Sequence, residues 1–141
     1  MNKPKVLFLC TGNSARSQMA EAFLRHYASD RYEAHSAGLE PQGINPLTVE
    51  VMAEKGISLE NQKSKSVKDY LVQVNIAHFI TVCSHAEANC PRAFLMSAGK
   101  HQFWDFEDPA AVEGPREKKL GKFRQIRDEI EQKIKSWLGK T

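Results

Sequence analysis

The stretch whose reading decides the fold runs from Val6 to Leu24. It begins with Val6-Leu7-Phe8-Leu9, continues through Cys10-Thr11-Gly12-Asn13-Ser14-Ala15-Arg16-Ser17, and ends in Gln18-Met19-Ala20-Glu21-Ala22-Phe23-Leu24. The opening run is apolar without polar alternation, which predicts a strand over 5–10 in a parallel sheet covered on both faces. The closing run reads as a helix over about 16–29. A cysteine thus stands where a buried strand turns into a helix N-terminus. Backbone N–H groups in such a turn, together with the positive end of the helix, make an anion site. The same field favours the thiolate of Cys10, its reactive form. Arg16 adds a planar fork of donors suited to a tetrahedral oxyanion, Ser17 adds a hydroxyl, and Gly12 and Asn13 fall where the backbone must curl. The reading is a nucleophilic Cys10 beneath an oxyanion held by Thr11, Gly12, Asn13, Ser14, Ala15 and Arg16. An inert buried cysteine is the bland alternative, and the strand, loop and helix around it argue for the functional one.

Outward from this stretch, strands and helices alternate. Tyr32–Ala37 predicts a second strand ended by Gly38, and Pro41, Gly43 and Pro46 mark a loop. A short helix is expected over 46–55, stopped by Gly56, and another over Ser66–Leu71 with Ser66 as its N-cap. Ile76–Cys83 is the third strand, 84–99 a long polar stretch, and a fourth strand lies near 101–104. Residues 105–115 read as a loop and 116–138 as a closing helix. Such alternation implies βαβ crossovers. The expected architecture is a single domain over 1–141, an open parallel four-stranded α/β sheet with helices on both faces. Ligands of such sheets sit beyond the carboxyl ends of the strands, where Cys10, Cys83 and the 105–108 loop converge.

The bulk properties exclude several classes. With 141 residues the chain can bury a core of its own. No run approaches the roughly 20 apolar residues needed to span a bilayer, and Lys3 and Lys5 precede too short an apolar stretch for a signal peptide. Three cysteines, an odd number, argue against a secreted disulfide framework and for a cytoplasmic enzyme with working thiols. The net charge of +3 mildly favours anionic ligands but is weak grounds for nucleic acid. In 116–135 basic residues alternate with acids while Leu120, Phe123, Ile126, Ile130 and Ile134 recur at helical spacing, which reads as an amphipathic helix with a solvated face.

Cys83 and Cys90 flank six residues. If that segment were helical, seven rises would separate the two by roughly 10 Å, whereas a disulfide needs Cα atoms within about 7 Å. Asn89 and Pro91 argue against a fixed helix there. A mobile segment would let Cys83 face Cys10 in one state and Cys90 in another; two unrelated structural cysteines are the alternative. A zinc site using His85 is disfavoured, since the tight Cys-x-x-Cys pairs of structural sites are absent. The other histidines form no motif. Asp108, held extended by Pro109, is the best general-acid candidate, with Asp105 and Glu107 as rivals.

These residues resemble a known family. Cys10–Ser17 continuing through Glu21 looks like the phosphate-binding loop of the low-molecular-weight protein tyrosine phosphatase superfamily. Ser36-Ala37-Gly38, Gly43-Ile44-Asn45-Pro46, the Cys83 to Cys90-Pro91 segment, Asp105–Ala110 and Phe123–Ile130 are closer still to its thioredoxin-coupled arsenate reductase branch. The resemblance covers essentially the whole chain. It implies that Cys10 attacks arsenate held by the loop amides and Arg16, that Ser17 donates to the thiolate, and that Asp108 protonates the departing oxygen. It further implies a relay in which Cys83 attacks Cys10 to release arsenite and Cys90 then attacks Cys83. Thioredoxin, supplied ultimately by NADPH, would reduce the resulting Cys83–Cys90 disulfide. No bound cofactor, no nucleic acid, no membrane and a monomeric state are expected, with arsenic detoxification as the role. The chemistry is consistent: taking arsenic from +5 to +3 needs two electrons, which a dithiol supplies on forming a disulfide.

Two departures stand out. Relatives often carry a cysteine where this chain has Ala15. Some also bind a monovalent cation through residues matching Asn13, Glu21 and Ser36; here Lys63 and Lys65 crowd that region, so an ammonium group is expected in place of a metal. A phosphatase working through a Cys10 phosphoenzyme is the alternative function, but it needs neither Cys83 nor Cys90. Ala110-Ala111-Val112 also replaces the aromatics expected of a phosphotyrosine site. A non-catalytic thiol module binding arsenite or a soft metal would have no use for Arg16 and the anion loop.

Overall fold

Four strands, Lys5–Cys10 (β1), Glu33–Gly38 (β2), Ile76–Thr81 (β3) and Lys100–Phe103 (β4), pair in parallel in the order β2-β1-β3-β4. The computed structural model describes residues 3–70, 76–90 and 99–139. Among these, the helices are Arg16–Ala28 (α1), Pro46–Ala53 (α2), Ser84–Asn89 (α3) and Arg116–Gly139 (α4).

β1 is central, and every residue from Val6 to Cys10 is buried. Because successive side chains of a strand point to opposite faces, a strand buried throughout requires cover on both. The register shows what supplies it. Val6 lies beside His78 and Phe8 beside Ile80. On that face Phe8 packs on Trp104, Trp104 on Trp137 of α4, and His78 on Trp137 and Tyr32. Ser36, beside Phe8 in β2, bonds Glu21 of α1, so α1 shares this face with α4, against which it packs. On the opposite face Leu9 pairs with Thr81, whose hydroxyl bonds Glu87 of α3. Helices therefore cover both sides, as the strand pattern requires.

Several boundaries differ from the sequence reading. The segment expected as a helix over Ser66–Leu71 is a single 3-10 turn, Val67–Tyr70, with Ser66 capping Lys68 N–H. Its entry is drawn to the sheet by a bridge between Gly38 and Ser66 and by the Gly38 N–H to Lys65 O bond; Leu71 lies outside the described residues. β3 stops at Thr81, so Cys83 is not in the strand. The largest correction concerns residues 84–89, which form a helix although Asn89 and Pro91 argued against one. Cys83 is its N-cap, its sulfur accepting Ala86 N–H at 3.4 Å. The 105–115 loop contains one 3-10 turn, Pro109–Ala111.

Candidate active site

The loop after β1 is built by turning its carbonyls outward. Those of Cys10, Thr11, Gly12 and Ser14 accept N–H groups from Leu39, Glu40, Gln42 and Asn45, and Thr48 Oγ1 also donates to Ser14 O. With the carbonyl edge engaged outside, the N–H edge is left for the concavity. Asn13 takes a left-handed conformation, φ 48°, which its short polar side chain tolerates. Gly38 makes the close approach possible: a Cβ there would meet Thr11 O at 2.7 Å and Asn13 N at 2.8 Å. Ala15 precedes α1 without capping it by a side chain, so the first-turn N–H groups of α1 stay available to an anion.

The result is a cup of about 140 Å³ lined by Cys10, Thr11, Gly12, Ser14, Ala15, Arg16, Gln42, Asp108 and Ala110. That is well below the roughly 300 Å³ at which drug-sized pockets begin and suits a small anion. Arg16 is steered by Nη1 donating to Phe106 O at 3.0 Å, and its Nη2 lies 4.0 Å from Asp108 Oδ2. Asp108 stands half-exposed at the mouth, Oδ1 accepting Ala110 N–H. Asn13, although part of the loop, does not line the cup; its side chain is fully buried below it.

Below the cup runs a hydrogen-bonded chain with a fixed direction. Gln18 Nε2 and Lys65 N–H both donate to Asn13 Oδ1, which orients the carboxamide. Asn13 Nδ2 therefore donates to Ser17 Oγ at 2.7 Å and Ser36 Oγ at 3.0 Å. Ser17, already an acceptor from Asn13, has its own proton for Cys10 Sγ, 2.9 Å away. Ser36 Oγ–H donates to Glu21 Oε1 at 2.5 Å. Glu21, 3% exposed, is flanked by Arg25 and by the Lys65 ammonium, 3.4 Å from Oε1. Lys65 thus meets Asn13 through its backbone N–H and Glu21 through its ammonium, two of the three positions for which the sequence reading expected an ammonium in place of a metal. Among the described residues no group of three or more His, Cys, Asp or Glu could hold a metal ion.

All three cysteines are free thiols. Val82 N–H bonds Leu9 O across the neighbouring strands, which brings buried Cys83 to the loop rim, its sulfur 3.6 Å from Thr11 Oγ1. Cys90 follows α3 and is half-buried; burial pushes its thiol pKa up, and the Glu87 carboxylate adds to this. His85, between them in sequence, is exposed and its carbonyl accepts from Asn89. The structure therefore gathers Cys10–Arg16, Asp108 and Cys83 at one edge, puts Ser17 and Asn13 beneath, and leaves Cys90 one short helix away. Gln42 and Gln62, which donates to Gln18 Oε1, escaped the sequence reading because each acts through contacts distant in the chain, whereas Gln18, inside the quoted stretch, bonds Asn13 only five residues back and was assigned no role.

The chain matches the family model of low molecular weight phosphotyrosine protein phosphatase over residues 5–141. An arsenate reductase of Shouchella clausii is 43% identical over 138 residues, covering 97% of this chain and 96% of its own. A solved arsenate reductase in a phosphate-binding state superposes with a TM-score of 0.81 at 26% identity, covering 97% of this chain and 98% of its own. A thioredoxin-dependent arsenate reductase of Corynebacterium glutamicum gives 0.72 at 31% identity, covering 98% of this chain and 61% of its own. No described helix is long and apolar enough to cross a membrane. The chain belongs to the low molecular weight phosphotyrosine protein phosphatase family.

Proposed function

We propose that this protein reduces arsenate to arsenite through a relay of its three cysteines. The observation that carries this reading is the second thiol at the rim of the oxyanion cup: Cys83, beside Thr11, adjoins the loop whose nucleophile is Cys10. An ester hydrolase has no use for it.

The steps balance. The Cys10 thiolate, held by Ser17, attacks arsenic(V) bound by the loop N–H groups and Arg16. An arsenic–oxygen bond breaks, and the oxygen leaves as water with a proton from Asp108. A thiolate at Cys83 then attacks Cys10 Sγ; the sulfur–arsenic bond breaks, arsenic keeps the electron pair, and arsenite leaves in the +3 state. Cys90 attacks Cys83 Sγ, Cys10 departs as a thiolate, and the oxidation is stored as a Cys83–Cys90 disulfide. An external dithiol of the thioredoxin type takes it up, so no bound cofactor is required. The similarity to a thioredoxin-dependent relative favours that donor. The Lys65 ammonium beside Glu21 stands in for a monovalent cation.

A second reading, phosphate-ester hydrolysis through a Cys10 phosphoenzyme, uses the same Cys10, Arg16 and Asp108. The cup disfavours it as the main activity, because Ala110 and Gln42 line the mouth where a ring would need an aromatic partner. Slow hydrolysis of a small aryl phosphate is still expected. The test is arsenate-dependent NADPH consumption with thioredoxin and thioredoxin reductase. Consumption by the wild type that vanishes in Cys83→Ser is expected; no consumption alongside good ester hydrolysis would transfer the protein to the second reading.

A further inference from the structure

The relay asks α3 to do something its geometry forbids. Cys83 and Cys90 lie at its two ends, and six helical residues between them hold their Cα atoms roughly 10 Å apart, beyond the limit of about 7 Å for a disulfide. Closing that gap requires the middle of the helix to loop out. At that middle, Glu87 Oε1 accepts Thr81 Oγ1–H at 2.6 Å and lies 2.9 Å from His101 Nε2. Thr81 is fully buried in β3, where its hydroxyl also reaches Gln102 O at 3.4 Å. His101 belongs to β4 and is steadied by Phe79, with ring centroids 5.4 Å apart. One carboxylate thus ties the helix between the cysteines to two adjacent strands.

Resting on the relay reading, we propose that Glu87, Thr81 and His101 form a latch that holds the Cys83–Cys90 segment helical in the dithiol state and opens when the disulfide forms. These are positioning residues; none touches the oxyanion. Their contacts exist only while α3 is intact, so they stabilise the dithiol against the disulfide. A disulfide whose reduced form is favoured is a stronger oxidant. The latch therefore makes the final disulfide easier for an external dithiol to reduce, and draws the chain back to the state that binds arsenate. The latch also keeps a carboxylate near Cys90, which disfavours that thiolate until the segment moves.

The test is the redox equilibrium of the pair, read in the full chain carrying Cys10→Ser so that only Cys83 and Cys90 exchange. The protein is equilibrated with mixtures of reduced and oxidised dithiothreitol, and free thiols are counted by alkylation and mass spectrometry. Oxidised dithiothreitol takes the two electrons that leave the cysteines. Thr81→Val keeps the shape but loses the donor; it should lower the equilibrium constant for reduction about tenfold, or about 30 mV for this two-electron couple. Thr81→Ser keeps the donor and should stay near the wild-type value. Glu87→Ala, at a partly exposed position, should shift the constant at least as far as Thr81→Val and guards against a misfolded Thr81 variant. A purely packing role predicts the reverse order, with Ser shifted and Val unchanged, and that result overturns the latch. Unchanged constants in Thr81→Val and Glu87→Ala overturn it as well. A parent chain whose Cys83 and Cys90 form no disulfide in oxidised dithiothreitol overturns the relay reading itself.

Discussion

Cys10 is the last residue of β1 and Cys83 lies just past the end of the adjacent parallel β3, yet they are held in opposite ways. Cys10 closes a strand buried on both faces, and its sulfur meets Ser17 in a chain of directed hydrogen bonds reaching Asn13, Ser36 and Glu21. The carbonyls of its loop are tied to residues 39–45, and Gly38 packs against the loop from behind. Cys83 instead caps a helix of six residues, too short to be stable by itself, held to the sheet by the buried Ala86 and by the hydrogen bonds of Glu87. The contrast suits the chemistry proposed for each. A nucleophile attacking a bound oxyanion benefits from fixed geometry. A thiol that must meet two different partners in turn needs a support that gives way.

That contrast can be broken most sharply at the two cysteines themselves. Cys10→Ser should remove both arsenate reduction and aryl phosphate hydrolysis to below detection, because both begin at that thiolate. Cys83→Ser should remove reduction equally while leaving ester hydrolysis within about twofold of wild type, since it lies outside the ester chemistry. Parallel assays of the two activities on both variants check this; a Cys83→Ser protein that loses both would mean the two regions are not separable.

The fixed side can be loosened in steps. Ser17→Ala removes the donor to Cys10 and should cost about 10- to 100-fold in kcat/KM for both activities, the usual range for a hydrogen bond to a charged group. Lys65→Met acts through Glu21, Ser36 and Asn13. With Arg25 still on Glu21, a loss of about three- to tenfold is expected, because networked hydrogen bonds pass on only part of a remote change. Steady-state kinetics of the two variants should rank them in that order.

The smallest effect lies away from both cysteines. His78 packs edge-on against Trp137 and Tyr32, and its buried Nδ1 has no hydrogen-bond partner among the described residues. Burial pushes its pKa below the ordinary 6.5, with Lys100 adding to the effect. The unfolded chain then binds the proton more readily than the folded one. Its contribution is complete above about pH 6.5 and is lost as the pH falls through the depressed folded value. Urea midpoints at pH 7 and pH 5 should therefore differ less in His78→Phe than in wild type, with activity at pH 7 unaffected.

How much of this could be read from the chain follows the same division. Val6–Leu9, the Cys10–Ser17 loop and α1 were legible because strand burial, loop curvature and helix start are all local signals, and they fell where expected. α3 was not: Asn89 and Pro91 argue locally against a helix, and what holds it is Thr81 and His101, from strands on either side in sequence. The 66–71 segment offered a good cap in Ser66, but the backbone at its entry is engaged by Gly38, and a 3-10 turn results. The support beneath Asn13 was half visible. Glu21, Ser36 and Lys65 emerged from the cation comparison, whereas Gln62, which reaches Gln18 across 44 residues, carried no local signature.

In the proposed relay one thiol is fixed and another comes to it. The most direct test uses Cys90→Ser, mixed with a single equivalent of arsenate, quenched in acid and mapped by mass spectrometry. A Cys10–Cys83 disulfide should accumulate with one equivalent of arsenite released, and no such disulfide should form without arsenate. Arsenite released while Cys10 and Cys83 both remain thiols would contradict it.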